Sequence, residues 1–546
     1  MNLLTKSVQI LILPAVLFLA PSAVNAQSNP ILKPLIRVGP WKGVSALISY
    51  RGRLWFANSE KFVNHNSADI YSYAPGETTP RYEQQLFSQD AGEPLVADGL
   101  LFWPFEDSRF TTSHGEFMVT NGRNWRWQVL TDGEVFHVHA LIAKSNTLYA
   151  ATSAWRAGLQ QSKDSGRHWQ VLYDHPTAPQ RVSRFTSLGL LNDTLYAGLT
   201  SYIQPGPKLY RFSKGRVQPQ PGWPDGVRTD ALQQYKGWLY AANSVPGSNS
   251  IWRTDGKTVE PVLALDNVPI QDFAVSPNAL WAISGSSGSG RLWRSADGLK
   301  WQHIQSFGNA FPLSVTIFAD QPYVGTQGPG ALGTLWGPVN PNTPEAPLPI
   351  VPIPEISAQR LPLHDLKTGL SELDEVLQRP AKNFRQLRKT LSAVINPLLR
   401  GNYPGLGNAL SRRLKHIPNH PSLSGFGNKF RVHPKRVKQW YLLKAIAQMG
   451  EGTIPVSLLE LAWDEPRNSA EKYFHPLIAA LWAIRQNQQQ DKETLNAIIS
   501  RLGTASEPPW LDGDRIGALT VLTGQKFGYD ITAWKRWWHN DTEGHQ

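Results

Sequence analysis

Apolar and polar positions along this chain follow two different periods. Over the N-terminal two-thirds a recurring unit places an apolar residue, an aromatic and small residues after a turn: LWFA from Leu54, LFWP from Leu101, LYAA from Leu148, LYAG from Leu195, LYAA from Leu239, LWAI from Leu280 and PYVG from Pro322. The aromatics Trp55, Phe102, Tyr149, Tyr196, Tyr240, Trp281 and Tyr323 are 47, 47, 47, 44, 41 and 42 residues apart. Most units carry a second β signal further on, as at Ile70-Tyr71, Leu209-Tyr210, Ile251-Trp252, Leu292-Trp293 and Leu335-Trp336, ahead of another turn and apolar run. Four short strands per unit, repeated seven times at this spacing, predict a seven-bladed β-propeller over residues 27–337.

The seventh unit stops after its third strand, where Gly337-Pro338 enters a stretch with seven prolines between Pro338 and Pro354. The extended segment Leu35-Ile36-Arg37-Val38, within residues 31–41, is therefore expected to complete the last blade and leave no open sheet edge. Residues 338–360 are expected to form a stiff, non-helical linker. Beyond it the apolar period becomes about 3.6, predicting helices over Leu366–Gln378, Phe384–Leu399, Val437–Met449, Ser457–Ala462, Tyr473–Ile484 and Leu495–Leu502. The fold class expected is thus multidomain, an all-β seven-bladed propeller followed by an all-α domain over 361–546.

Two hairpins are more specific. Ser162–Trp169 reads SKDSGRHW and Ser295–Trp301 reads SADGLKW. The first matches the Asp-box of sialidase-type (BNR) repeats and the second is one residue short, so the repeats resemble that propeller superfamily. Physically the box is a turn: hydroxyl and carboxylate bond amides, Gly takes the awkward backbone angle and Trp packs beneath. A structural role for Asp164 and Asp297 is expected over a catalytic one. The closing stretch LTGQKFGYDITAWKRWW, Leu522–Trp538, resembles the end of HEAT-like helical repeat proteins. Trp534 and Trp538 share one helix face there, which favours core packing over a sugar-stacking platform.

Inner strands of a propeller line the central channel, so equivalent residues form rings. Counting back from the aromatics, with one residue allowed for shorter hairpins, gives one ring of Ser45, Glu93, His139, Thr186, Asp230, Asp272 and Ser314, and a neighbouring one of Gly43, Ala91, His137, Arg184, Arg228, Ile270 and Pro312. Converging Arg, His and carboxylate groups suit an anionic or polyhydroxylated ligand, which makes Glu93, His137, His139, Arg184, Arg228, Asp230 and Asp272 the candidate ligand-binding set. The competing reading is that these are structural groups facing a wet tunnel, with an Asp at the start of an inner strand bonding amides of the next blade. His137 and His139 can also ligate a metal if Glu93, Asp230 or Asp272 completes the set, but no ligand spacing supports one, so no metal and no cofactor is assigned.

The sialidase resemblance implies three clustered arginines, a Tyr–Glu pair and an acid Asp, and that set cannot be assembled here. Some polysaccharide lyases are also seven-bladed propellers using His, Tyr and Arg. By residue type alone, His137, His139, Arg184 and Arg228, with Tyr202 as proton donor, resemble such a site.

Composition then narrows the setting. Lys6, an apolar run from Val8 to Ala20 and the small residues of Val24-Asn25-Ala26 mark Met1–Ala26 as a secretory signal, with an uncleaved anchor as the competing reading. There is no cysteine, which excludes disulfides, thiolate metal sites and a lipidated N-terminal Cys. Between Arg360 and Trp440 lie 16 Lys or Arg against 4 Asp or Glu, a surplus equal to the chain's whole formal charge of +12. Clusters such as Arg388-Lys389, Arg412-Arg413 and Lys435-Arg436 suit an acidic glycan, an anionic cell-envelope component or a protein partner. Nucleic acid is a poor candidate for an exported chain, and no transmembrane segment is expected in the mature one. The expected function is a periplasmic or secreted binding or scaffold protein; the alternative is a carbohydrate-active enzyme, lyase or hydrolase, at the channel mouth.

Overall fold

A computed structural model describes residues 31–543 except 61–66, 110–114, 131–134, 155, 177–182, 202–207, 214, 244–248, 266–267, 287, 329, 345, 348, 355–364, 402, 425–430 and 464–473. Seven four-stranded antiparallel sheets succeed one another along the chain. Blade one is Gly43–Tyr50, Arg53–Ser59, Ala68–Tyr73 and Arg81–Leu86; blade two starts with the short strand Leu95–Ala97, blade three with His137–Lys144, blade four with Ser183–Leu191, blade five with Ala231–Tyr235, blade six with Ile270–Ser276 and blade seven with Phe311–Phe318. From blade two round through blade seven to blade one these first strands neighbour one another, and every repeat aromatic falls on the second strand of its blade. The fourth strand of blade seven is Leu32–Val38, antiparallel to Gly333–Pro338. It buries Leu32, Ile36 and Val38, and Gln305 Nε2 and Oε1 bond both backbone groups of Leu32 at 2.9 Å.

The proline-rich segment is not a free tether. Asn342 bonds Gln321 and the Ala319 carbonyl in blade seven, while Val351 and Ile353 pack on blade two, where Asn121 donates to the Val351 carbonyl. It thereby delivers the helices to the flank of blades one and two. These are α1 (Leu366–Gln378), α2 (Phe384–Gly401), α3 (Leu406–Leu414), α4 (Pro434–Met449), α5 (Pro476–Gln486), α6 (Lys492–Ile499), α7 (Pro509–Thr523) and α8 (Ile531–Glu543). None of the described helices is long and apolar enough to cross a membrane.

Several helix limits differ from the periodic reading. Ser457–Ala462 is only a 3-10 turn at Val456–Leu458, because a stretch that short gains too few hydrogen bonds to offset nucleation. The helix expected from Tyr473 begins at Pro476, whose fixed φ suits the first turn, with His475 Nδ1 accepting from the Leu477 amide; Tyr473 lies outside the described residues. The closing stretch Leu522–Trp538 spans the end of α7, which Gly524 caps at φ 72° in the left-handed region, and the start of α8 at Ile531.

One apolar core runs from blades one, two and seven into the helices. Trp482 of α5 stacks on Phe87 at 4.5 Å between ring centres and meets Trp127 edge-on at 5.4 Å. Within this seam lie buried charges. Arg485 donates to Gln85 Oε1 and the Gln85 carbonyl, Gln85 Nε2 donates to Asp514 at 2.7 Å, and Asp514 faces Arg109 at 3.5 Å. Tyr529 Oη and Trp41 Nε1 both donate to Asp69, whose carboxyl burial pushes up to about 7 against those bonds.

Removing the closing strand should expose the backbone of Gly333–Pro338 as an edge. A variant lacking residues 1–38 is expected to melt at lower temperature than one lacking residues 1–26, and to elute partly as oligomers in size-exclusion chromatography. Equal melting and a monomeric profile would contradict the closure.

Candidate functional site

The first strand of most blades carries a β-bulge near its start, and that irregularity controls which side chains meet. Register shifts occur at Ser45/Ile48, Val138/Ala140, Phe185/Ser187, Ile270/Asp272 and Pro312/Ser314. Ala46, Leu47, His139, Thr186, Gln271 and Leu313 are left unpaired at these shifts; the hairpins that follow all have two-residue turns, so no allowance for a shorter one applies, and Asp272 and Ser314 stand one position later than His139 and Thr186. At that later position they sew blades together. Asp272 accepts from the Val315 amide at 3.0 Å, and Ser314 accepts from the Leu47 amide at 3.0 Å. Ser187, its counterpart in blade four, donates to the Thr229 carbonyl at 2.8 Å.

Glu93 is also out of phase: it is exposed, precedes the short first strand of blade two, and bonds the His139 carbonyl through its amide at 2.7 Å. Arg228 and Asp230 form an ion pair of their own at 2.6 Å just before the first strand of blade five. Tyr202 lies outside the described residues.

His137, His139 and Arg184 do come together, at one end of the channel. The bulge at His139 leaves the two imidazoles stacked, with ring centres 5.4 Å apart and planes at 21°. Facing them are Glu106 and Asp107, which follow the second strand of blade two, Leu100–Pro104. Glu106 Oε1 lies 3.6 Å from His139 Nδ1, 4.0 Å from His137 Nδ1 and 4.0 Å from Arg184 Nη1; Asp107 Oδ1 lies 3.8 Å from His137 Nδ1. His137 Nδ1 also contacts the Glu106 carbonyl, and His139 Nε2 bonds Ser153 Oγ at 2.9 Å.

Electrostatics follow from partial enclosure. Burial holds His139 well below the usual imidazole range, and His137 and Arg184 add to the effect. His137 is lowered by burial and by Arg184, against the pull of Asp107. Burial raises the Asp107 carboxyl to about 6, although His137 opposes it. Neutral imidazoles, one guanidinium and two carboxylates thus share one small space.

Sequence counting missed Glu106 and Asp107 because they stand on a connection between strands and not on a channel strand. The visible signal was the paired acids of WPFEDSR, residues 103–109. Their place is fixed by the preceding segment: Gln89 bonds Asp107 through both its amide and its side chain, Ser88 Oγ accepts from the Asp107 amide, and the Glu106 amide donates to the Asp90 carbonyl. Two residues on, Arg109 reaches Asp514 and lies 4.4 Å from the ring centre of Trp510. The helical region therefore grips the same connection that presents the carboxylates.

The box turns are structural. Ser162 donates to Asp164, which accepts from the His168 amide, and Trp169 is buried with Nε1 on the Gly166 carbonyl. Ser295 and Asp297 repeat the pattern around Gly298 at φ 78°. Shorter versions at Thr120-Asn121-Gly122 and Thr254-Asp255-Gly256 bond their turn amides in the same way.

No family model and no curated protein matches the chain. Solved structures similar to it include YCF48 from Cyanidioschyzon merolae, at 14% identity and TM-score 0.38 over 56% of this chain and 98% of that one. The β-propeller domain of the Trilobed protease from Pyrococcus furiosus is similar at 12% identity and TM-score 0.38 over 55% and 95%. The computationally designed Ika8 protein is similar at 13% identity and TM-score 0.36 over 56% and 99%. Neither ligand nor activity is carried over at these levels.

Because folded His139 binds its proton more weakly than the unfolded chain does, its contribution to stability is present above about pH 6.5 and declines as pH falls below that value. In a histidine NMR titration its imidazole is expected to stay neutral where a free one is half protonated, and Arg184→Ala should raise its pKa. An ordinary midpoint, unmoved by the substitution, would contradict the geometry.

Proposed function

We propose that this chain is an exported binding protein that takes a hydroxyl-rich glycan or a related cell-envelope component at the channel end and offers its basic helices to an anionic partner. The observation that carries the reading is the convergence of His137, His139 and Arg184 on Glu106 and Asp107. Carboxylates accept from sugar hydroxyls, a guanidinium donates to hydroxyl or carboxylate oxygens, and a neutral imidazole does either. A propeller is a common scaffold for such a binding surface, and the Asp-box turns support its kinship in type with sialidase-like propellers without implying their activity. Export rests on the pattern of Met1–Ala26.

The cationic surface is narrower than its composition. Lys438 is buried and donates to the Leu377 and Arg379 carbonyls at the end of α1, and Arg413 pairs with Asp374. Lys382, Arg385, Lys389, Arg412 and Lys415 are exposed on or beside α2 and α3. They are the groups that would meet phosphate or carboxylate.

A screen of the purified mature protein against neutral and anionic glycans tests this reading. Saturable binding is expected, weakened at least tenfold by Arg184→Ala or His139→Ala, with no release of reducing or unsaturated ends. Turnover of a bound glycan would replace the reading with a carbohydrate-active enzyme; absence of binding, or binding indifferent to both substitutions, would remove the site.

A further inference from the structure

Three facts about the channel-end cluster concern the cluster itself and not the glycan reading. First, its groups are mostly acceptors held face to face. Asp107 Oδ1 and His139 Nδ1 carry no hydrogen bond among the described residues, and they look across 3.8 and 3.6 Å at His137 Nδ1 and Glu106 Oε1. Second, one ligand atom each from Glu106, Asp107 and His137 lies within 4.8 Å of the others, with the Glu106 carbonyl beside them. Third, the groups are sheltered without being sealed: the side chains of Glu106, Asp107 and His137 retain 29%, 22% and 12% exposure, while His139 retains 6%. Arg184 Nη1 approaches only to 4.0 Å of one carboxylate oxygen, so it screens the pair without bonding it at that distance.

We infer that Glu106, Asp107 and His137 form a binding site for a divalent first-row metal ion, with His139 as a fourth donor. Two carboxylates and imidazole nitrogen are the donor types that Zn²⁺ and Mn²⁺ take, and no thiolate is needed. Donors on a four-coordinate ion at ~2.0–2.2 Å stand roughly 3.3 Å apart, so the nitrogen–oxygen spacings of 3.6 to 4.0 Å need to close by about half an ångström. The bond from Gln89 to Asp107 and that from Ser153 to His139 orient these groups from behind, as outer contacts do in metal sites. On loading, His137 gives up its contact with the Glu106 carbonyl, and its proton moves to Nε2, leaving Nδ1 for the ion. The arrangement binds an ion between blades two and three, where the first strand of blade two is only three residues long.

The test uses tag-free protein, stripped with EDTA and desalted, titrated calorimetrically with Zn²⁺ and with Mn²⁺. About one equivalent of at least one ion is expected to bind saturably, with affinity reduced roughly tenfold or more in Asp107→Asn and in His137→Ala. Circular dichroism establishes that each variant is folded, and Glu106→Gln substitutes for either that is not. If neither ion binds saturably, or if the folded variants bind as the parent does, the inference is overturned. Because the probe is the ion alone, its failure leaves the glycan screen undisturbed.

Discussion

A charge placed where water cannot reach it must be met by another, and at the seam between propeller and helices this requirement governs the architecture. Arg485 and Asp514, on α5 and α7, are buried against Gln85 and Arg109 of blades one and two. Deleting one partner while the other stays buried, as truncating Arg109 would leave Asp514, costs on the order of 3–5 kcal/mol. Such networks specify one docking geometry more than they add stability, since apolar contact at Trp482 supplies the adhesion. Arg109 is also two residues from Asp107. The position of the carboxylates at the channel end is thus set jointly by blade one, through Gln89, and by the helices, through Asp514.

The ring is not symmetric in what its blades do with equivalent positions. In blades four, six and seven, Ser187, Asp272 and Ser314 bond the next blade and hold the ring closed. At blades two and three the first strand of one is shortened and the bulge of the other carries a histidine, so side chains are presented to the channel end while the blades are joined through backbone, from the Glu93 amide to the His139 carbonyl and from the Val138 amide to the Phe105 carbonyl. The proposed site lies where the repeat is least regular, as expected when most repeats serve to build a rigid frame.

The fold was legible because a channel strand, a buried aromatic and a turn recur at nearly constant spacing, and burial of that aromatic is what each blade requires. The helices were legible where an apolar period was sustained, as in α4 and α5, although both are buried almost all round; α3, only nine residues long, was not legible although one face of it is buried. α7 escaped notice because the charges of Asp512, Asp514 and Arg515 interrupt the apolar run between Leu511 and Ile516, and Gly513 and Gly517 weaken its propensity. Those glycines have a reason: a Cβ at Gly517 would meet the Gln85 side chain at 2.8 Å, and one at Gly513 would meet Ser67 Oγ at 2.6 Å. The site was half legible. His137, His139 and Arg184 follow from repeat phase, whereas Glu93 and Asp272 were displaced by one residue, because the first hairpins all have two-residue turns and an allowance for shorter ones shifts the count. Glu106 and Asp107 were hidden because a connection between strands has no period at all.

The central claim is that the Glu106–Asp107–His137–His139–Arg184 cluster is where the ligand sits. Its most direct measurement is the histidine imidazole spectrum of the folded protein as a glycan from the binding screen is added. The account predicts that the His137 and His139 signals move with saturation while those of His168 and His303, on the outer strands and turns, stay in place. A ligand that saturates the protein and leaves His137 and His139 unmoved would contradict it.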